Sequence, residues 1–332
     1  MSSQIILLLA VTASALPALL YLFLVWRLDR YEPEPIWLVG ATFAYGATMG
    51  IAVGVFGTLV LLAVLGGGLE LSESSFAGMA LFAPLAEEPG KGLVLLLLLL
   101  GKNFDNTTDG LIYGSAAGLG FAMTENFFYF LEPLQRGDMD VWLELVLIRG
   151  AFTALMHCCA SAALGAMLGA FRYRGFVLQW LVAPFLGLAI AIAIHATFNG
   201  LLVLAVSSGS EHYAHFALAL VPILVIALLI VTKLSLLREQ RLIRRELADE
   251  VHAGVLLPEH ASIIPDAKRR KQPHWLPPHV DRAEYVKTAT LLAFRRHQAR
   301  LRKLPTGSQN PEIHALRMRL YSLVNALPTG AV

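Results

Sequence analysis

An all-helical, polytopic membrane protein with about seven transmembrane helices and a basic helical cytoplasmic tail is the fold class this sequence predicts, on three observations. The chain has 332 residues, 56% hydrophobic and only 15% charged, a balance outside that of ordinary soluble domains. Its apolar residues gather into seven windows, roughly 5–26, 37–65, 76–100, 110–131, 145–171, 177–205 and 214–232, each close to or above the length a bilayer crossing requires. Its charge is divided: residues 1–232 carry 8 Lys and Arg against 15 Asp and Glu, and residues 233–332 carry 18 against 9. The split predicts a membrane domain over 1–232 and a basic tail over 233–332, whose cations suit anionic lipid headgroups. Lys268-Arg269-Arg270-Lys271 is the densest basic run, but no nucleic-acid-reading module accompanies it, so no nucleic acid is expected as a partner.

The first window continues without a charge to Trp26 and has no basic residue before it, which makes it a span rather than a signal peptide despite Ala13-Ser14-Ala15. Arg27 to Pro35 comes next as a charged link stiffened by Pro33 and Pro35. Lys and Arg recur in the odd-numbered connections (Arg27 and Arg30; Lys102; Arg172 and Arg174; the tail) and are sparse in the others. The positive-inside rule then puts the N-terminus outside and the C-terminus in the cytoplasm, with the bacterial plasma membrane as the expected location. Cys158 and Cys159 are adjacent, so no disulfide framework exists. Within the tail, Leu236–Val251 and Ala283–Leu304 have the period of amphipathic helices, and the Pro-rich stretch 258–279 between them is expected to be a linker.

The third window carries Glu87, Glu88 and Lys91 inside apolar sequence. Each such charge costs about 2.5–3.5 kcal/mol at the bilayer centre on insertion scales, so intramembrane charges face the bundle interior and mark function. Lys91 lies three and four residues from the two carboxylates and can neutralise either, while Pro89 loosens the turn between them. In the fourth window, Gly114, Gly118 and Glu125 share one helical side, a close-packing face that leads to a carboxylate; Asn126 stands beside it, and Asp109 reads as a cap. The fifth repeats Arg149, Thr153, His157, Ser161 and Gly165 every fourth residue, and the sixth places His195 and Asn199 one turn apart. Counted along each helix at ~1.5 Å per residue, Glu87, Glu125, His157 and His195 fall at similar depths in the outer half of the membrane, which predicts one polar cavity.

Two chemistries suit these residues. Two histidines and a carboxylate form the ligand set of a catalytic zinc site, here His157, His195 and Glu87, with another carboxylate as general base. Alternatively, a glutamate activates water directly while histidine or asparagine stabilises the oxyanion. No His-Glu-x-x-His helix and no Gly-x-Ser-x-Gly elbow occurs. A proton-coupled transporter is a rival reading, since buried Glu and His also build proton relays. A polar cluster that only holds helices together, in a non-catalytic scaffold, is another.

Taken in order, Asp29-Arg30-Tyr31-Glu32-Pro33-Glu34-Pro35, Glu87-Glu88-Pro89-Gly90-Lys91, Phe121-Ala122-Met123-Thr124-Glu125-Asn126, Arg149 with His157, and His195-x-x-x-Asn199 resemble the PrsW family of intramembrane proteases, distant relatives of the CAAX prenyl endopeptidases and of the gamma-secretase subunit Aph-1. The likeness covers roughly residues 20–205. It implies endoproteolysis of single-pass, membrane-tethered proteins, with anti-sigma factors as a characteristic substrate class. Carried over residue by residue, Glu87 and Glu88 become the water-activating pair, with Glu87 the base. His157 and His195 become metal ligands or oxyanion partners, and Asn199 a stabiliser; Lys91, Glu125 and Arg149 complete the set. The tail lies outside the resemblance.

Overall fold

A computed structural model describes residues 2–66 and 78–325, and the first residues of the third expected span, 76 and 77, lie outside them. The described chain is all-helical, without strands among the described residues. Five helices are long and apolar enough to cross a membrane: α1 (Ser3–Trp26), α2 (Ile36–Leu65), α5 (Met139–Ala170), α6 (Leu178–Ser208) and α7 (Glu211–His252). The third and fourth expected spans are also helical, as α3 (Ala83–Leu98), continued from a π turn at Gly78–Phe82, and α4 (Thr107–Arg136). Neither is among the five apolar helices. For α3 the reason is its charge: Glu87, Glu88 and Lys91 fall within three turns.

The chain forms two compact units, Met1–Leu28 with Glu34–Thr232, and Asp29–Pro33 with Lys233–Val332. In the first, α4 is the central post. Its start is fixed by a capping box: the Asn106 side chain accepts from the N–H groups of Thr108 (2.6 Å) and Asp109 (3.2 Å), while Asp109 accepts from the N–H of Asn106 (3.1 Å). Three otherwise unpaired backbone donors at the helix start are thereby satisfied together. Gly137, at φ +78°, ends the helix in the left-handed conformation that glycine adopts freely. Ile112, Tyr113, Ala116, Ala117 and Leu119 pack with Leu95, Leu99, Met156, Cys158 and Leu164 in the core of this unit. Cys158 and Cys159 are free thiols, both buried.

Along α4, a Cβ added to Gly110, Gly114 or Gly118 would collide with the backbone carbonyl of Gly165, Ser161 or His157, all on α5. The glycine face read from the sequence is thus a backbone-to-backbone seam. It holds Glu125 at the level of His157. Wider π turns interrupt α2 at Gly46–Gly50, α5 at Arg149–Thr153 and the start of α6 at Leu178–Val182. Each adds a residue to one turn and so rotates the remainder of its helix, a device often found at functional sites.

The second unit has a hydrophobic core of its own, built from Ile243, Leu247, Leu256, Ile264, Tyr285, Leu292, Phe294 and Ile313. It joins the end of α7 to α8 (Pro258–Ile263), α9 (Arg282–Leu301) and α10 (Pro311–Asn325). The stretch expected as a linker therefore differs from the expectation: His260, Ala261, Ile263 and Ile264 are buried in this core. Pro258 sits in the first turn of α8, where a missing N–H is harmless, so proline there starts a helix rather than breaking one. Asp281 caps α9 by accepting from the N–H groups of Ala283 and Glu284.

Candidate active site

The eight residues singled out from the sequence meet in one network within the first unit. Its centre is Lys91, which is 0% exposed. The ammonium donates to Glu88 Oε1 (2.6 Å) and to His157 Nδ1 (2.9 Å), lies 3.7 Å from Glu87 Oε2, and stands 4.1 Å over the Phe121 ring. A buried cation demands compensation of this kind, because an isolated one would cost several kcal/mol, on the order of the penalty for any unpaired buried ion. Both sequence-predicted pairings of Lys91 are present, but Glu88 has the shorter.

Glu88 is equally buried. Besides Lys91, its Oε1 receives His195 Nδ1 (2.8 Å), and its Oε2 receives the Ser161 hydroxyl (3.4 Å). A carboxylate is an acceptor, so His195 carries its proton on Nδ1. Its Nε2 then accepts from the Asn199 amide at 3.2 Å, and that same amide donates to the Met79 carbonyl at 3.0 Å. By the same logic, His157 accepts at Nδ1 from the ammonium and donates from Nε2 to Glu125 Oε2 (2.9 Å). Glu125 is held in turn by Arg149 Nη2 at 3.0 Å. Arg149 donates through Nε to Asn126 (3.0 Å), receives the Asn126 amide on its own carbonyl (3.2 Å), and lies 3.5 Å over the Tyr129 ring. The two imidazoles meet edge to face with centroids 4.7 Å apart.

Glu87 stands apart from the other two carboxylates. Its side chain retains 15% exposure, and its Oε2 is buried without a hydrogen-bond partner among the described residues. The nearest cations or rings are Lys91 at 3.7 Å and His195 Nε2 at 3.9 Å. The expected water-activating pair is therefore not a pair in geometry: Glu88 is fully engaged and Glu87 is not. A Cβ on Gly54 would lie 3.0 Å from Glu87 Cγ and 3.3 Å from the Phe121 ring. The bare backbone of α2 thus forms one wall of the site.

Several contributors escaped the sequence reading. Tyr129 and Gly54 are residues whose spacing says only that they pack, and Phe121 was named only as the start of a motif, not for its ring under Lys91. Tyr45, whose hydroxyl donates to the Gly90 carbonyl (3.2 Å) beside the helix-breaking Pro89, carried no local signal either. The turn at Arg149–Thr153 was legible only as a stripe of small and polar residues.

Residues 34–230 match the profile of the PrsW family intramembrane metalloproteases. The chain belongs to this family. Curated relatives named Protease PrsW are similar to it along most of their length. The one from Clostridioides difficile is 26% identical over 191 residues, covering 57% of this chain and 77% of the relative. The one from Oceanobacillus iheyensis is 26% identical over 223 residues, 65% and 89% respectively. The Bacillus subtilis protein is 24% identical over 195 residues, 58% and 82%. No solved structure matches the chain significantly. The protein is an integral membrane protease.

The metal implied by the family can be tested on the donor set. Glu87, His157 and His195 each offer one ligand atom, all within 4.8 Å of one another. Two imidazoles and a carboxylate are a known catalytic zinc set, and Glu88 behind His195 is the carboxylate–histidine support such ligands have. The unpartnered Glu87 Oε2 is the atom such a site would require. The residues present fit a divalent ion, although His195 would have to release the Asn199 amide, and His157 either Lys91 or Glu125, to bind it.

Proposed function

We propose that the chain cuts single-pass, membrane-tethered proteins, anti-sigma factors being the representative class, with Glu87 accepting the proton of the attacking water. The observation that carries this reading is the unpartnered Oε2 of Glu87 amid carboxylates that are otherwise engaged. A base needs a free lone pair. Glu88 and Glu125 act as positioning residues by fixing the tautomers of His195 and His157. Lys91 balances the carboxylate charge, Arg149 holds Glu125, and the Asn199 amide is the donor for the developing oxyanion. In a metal-bound form Glu87, His157 and His195 would instead hold a divalent ion, zinc by donor preference, which would supply Lewis-acid polarisation of water or of the scissile carbonyl, the free Glu87 oxygen then serving as ligand rather than base. One observation favours a second, glutamate-type reading: both nitrogens of His157 are already engaged by protein groups. In that case Glu87 works as base without a metal.

In the same proposal, α3 and α4 span the membrane with the five apolar helices, giving seven spans. Residues 1–232 are the protease domain and 233–332 a basic cytoplasmic unit that meets anionic lipid headgroups. The N-terminus is outside the bacterial plasma membrane. Membrane proteomes of matched cells carrying wild-type or Glu87→Gln protein test the activity. A single-pass protein that accumulates uncut only with the variant supports the proposal, and identical proteomes under several stresses overturn it. Metal analysis of the purified protein, with cleavage assayed before and after chelation and zinc return, separates the two mechanisms.

A further inference from the structure

The second unit carries an open surface cleft of about 520 Å³ lined by Arg244, Ala248, Val251, His252, Pro258, Ala261, Ser262 and Arg269, of which only Ala261 is buried; the volume is within the size range of small-ligand sites. The first four recur on one face of α7 at intervals of four, three and one, and Pro258, Ala261 and Ser262 share one face of α8. Its walls divide by chemistry. Ala248, Val251, Pro258 and Ala261 are apolar, while Arg244 and Arg269 bring two guanidinium groups from different elements. Neither has an ion-pair partner among the described residues. That sets them apart from Arg296, Arg300 and Arg317 of the same unit, which are paired with Glu246, Asp249 or Glu250. His252 donates from Nδ1 to the Ala248 carbonyl (2.8 Å), which leaves Nε2 available, and the Ser262 hydroxyl is turned back onto the Glu259 carbonyl. Asp266 takes the Arg269 backbone N–H at 3.0 Å, an anchor for the loop that carries this guanidinium.

We infer that this cleft is a binding site for a phosphate ester of net negative charge attached to an apolar body, with Arg244 and Arg269 clasping the phosphate. Guanidinium forks suit phosphate oxygens, and the apolar wall suits the body that carries them. In an integral membrane protein, the abundant source of that chemistry is an anionic phospholipid; a free phosphorylated metabolite is the other. The inference rests on the proposed meeting of the tail with anionic lipids and narrows it to one pocket.

The test uses full-length protein in detergent, titrated with short-chain phosphatidylglycerol, phosphatidylcholine or inorganic phosphate, with binding read by intrinsic tryptophan fluorescence and by thermal shift. Arg244→Gln with Arg269→Gln is compared with Lys268→Gln with Lys271→Gln, which removes equal charge outside the lining. Saturable phosphatidylglycerol binding, weakened at least tenfold in the arginine variant and less than twofold in the lysine variant, is the expected result. Competition by millimolar inorganic phosphate assigns the site to the phosphate group itself, and its failure to compete assigns it to the intact lipid. Equal weakening in both variants overturns the pocket while leaving general lipid attraction in place. Equal binding of phosphatidylcholine, or no binding of any probe, overturns the inference altogether.

Discussion

In the tail unit, Glu250 receives Arg296 on one oxygen and Arg317 on both, Glu246 receives Arg296 and Arg300 on Oε2, and both carboxylates are buried. In the membrane unit, Glu87 is also packed among cations and rings, yet its Oε2 receives no hydrogen bond among the described residues. Both clusters pay the desolvation cost of buried charge. The first offsets it with guanidinium forks, whose geometry matches a carboxylate. The second has one guanidinium, Arg149 on Glu125, but otherwise uses one ammonium and two imidazoles, groups that can exchange protons and partners. A free oxygen alone does not separate the two, because Glu246 Oε1 also has no hydrogen-bond partner among the described residues. A buried ion cluster is therefore not by itself a mark of catalysis, since an imidazole, His297, stands 3.7 Å from that free Glu246 oxygen as well; the membrane cluster differs in its buried ammonium and in its two imidazoles in contact.

That contrast can be broken most directly at Glu87. Glu87→Gln keeps the shape and removes the base, so cleavage of a single-pass reporter should fall by about 10³-fold or more, in the upper range for loss of a general base, with an unchanged melting temperature in detergent. Glu88→Gln sharpens the distinction between neighbours. It leaves buried Lys91 without its closest anion and weakens the hold on His195, so both cleavage, by roughly 10²-fold, and thermal stability should drop. Glu250→Ala should leave Arg317 without its carboxylate and take one of three from buried Arg296, which keeps Glu246 and Asp249, and should destabilise the tail unit by about 1.5–3 kcal/mol, the range for hydrogen bonds to charged groups, read as faster proteolysis of 233–332. Gly54→Ala adds a methyl 3.0 Å from Glu87 Cγ. Cleavage should slow about tenfold, the loss expected when a base is pushed off its line while the fold survives.

The smallest effect lies in the tail. Burial holds His260 below the ordinary imidazole pKa, against the opposing influence of Glu259. Its Nδ1 lies 2.9 Å from the Tyr285 hydroxyl, and Trp275 packs edge-on at 5.4 Å. The unfolded chain therefore binds the proton more readily than the folded one. Stability contributed by neutral His260 is present above the unfolded value of about 6.5 and is lost as pH falls below it toward the folded value. His260→Gln should flatten that part of the stability-versus-pH curve, measured by chemical denaturation followed by Trp275 fluorescence.

The helices were legible from apolar windows, and the meeting of Glu87, Glu125, His157 and His195 in one network from counting along each helix, because bilayer length and helical rise are strong constraints. Which carboxylate is engaged was not legible. Glu87 and Glu88 are adjacent in sequence, and their difference arises from residues far along the chain, Ser161 and His195, that hydrogen-bond only one of them. The π turns left no readable period, since one added residue changes no composition. The compact tail was hidden by its prolines: exposed Pro258 starts a helix and buried Pro265 lends its carbonyl to the Tyr31 hydroxyl, so a stretch whose prolines usually signal a linker here borders a core.

The glycine seam between α4 and α5 also bears on how a peptide reaches Glu87. Where backbone rests on backbone there are no side chains to rotate aside, and parting the two helices would pull Glu125 away from His157. The route for a substrate must therefore avoid that seam. On the role proposed for Glu87, its partly exposed flank beside the bare turn of α2 at Gly54 is the side from which an extended segment reaches it with the Glu125–His157 hydrogen bond intact.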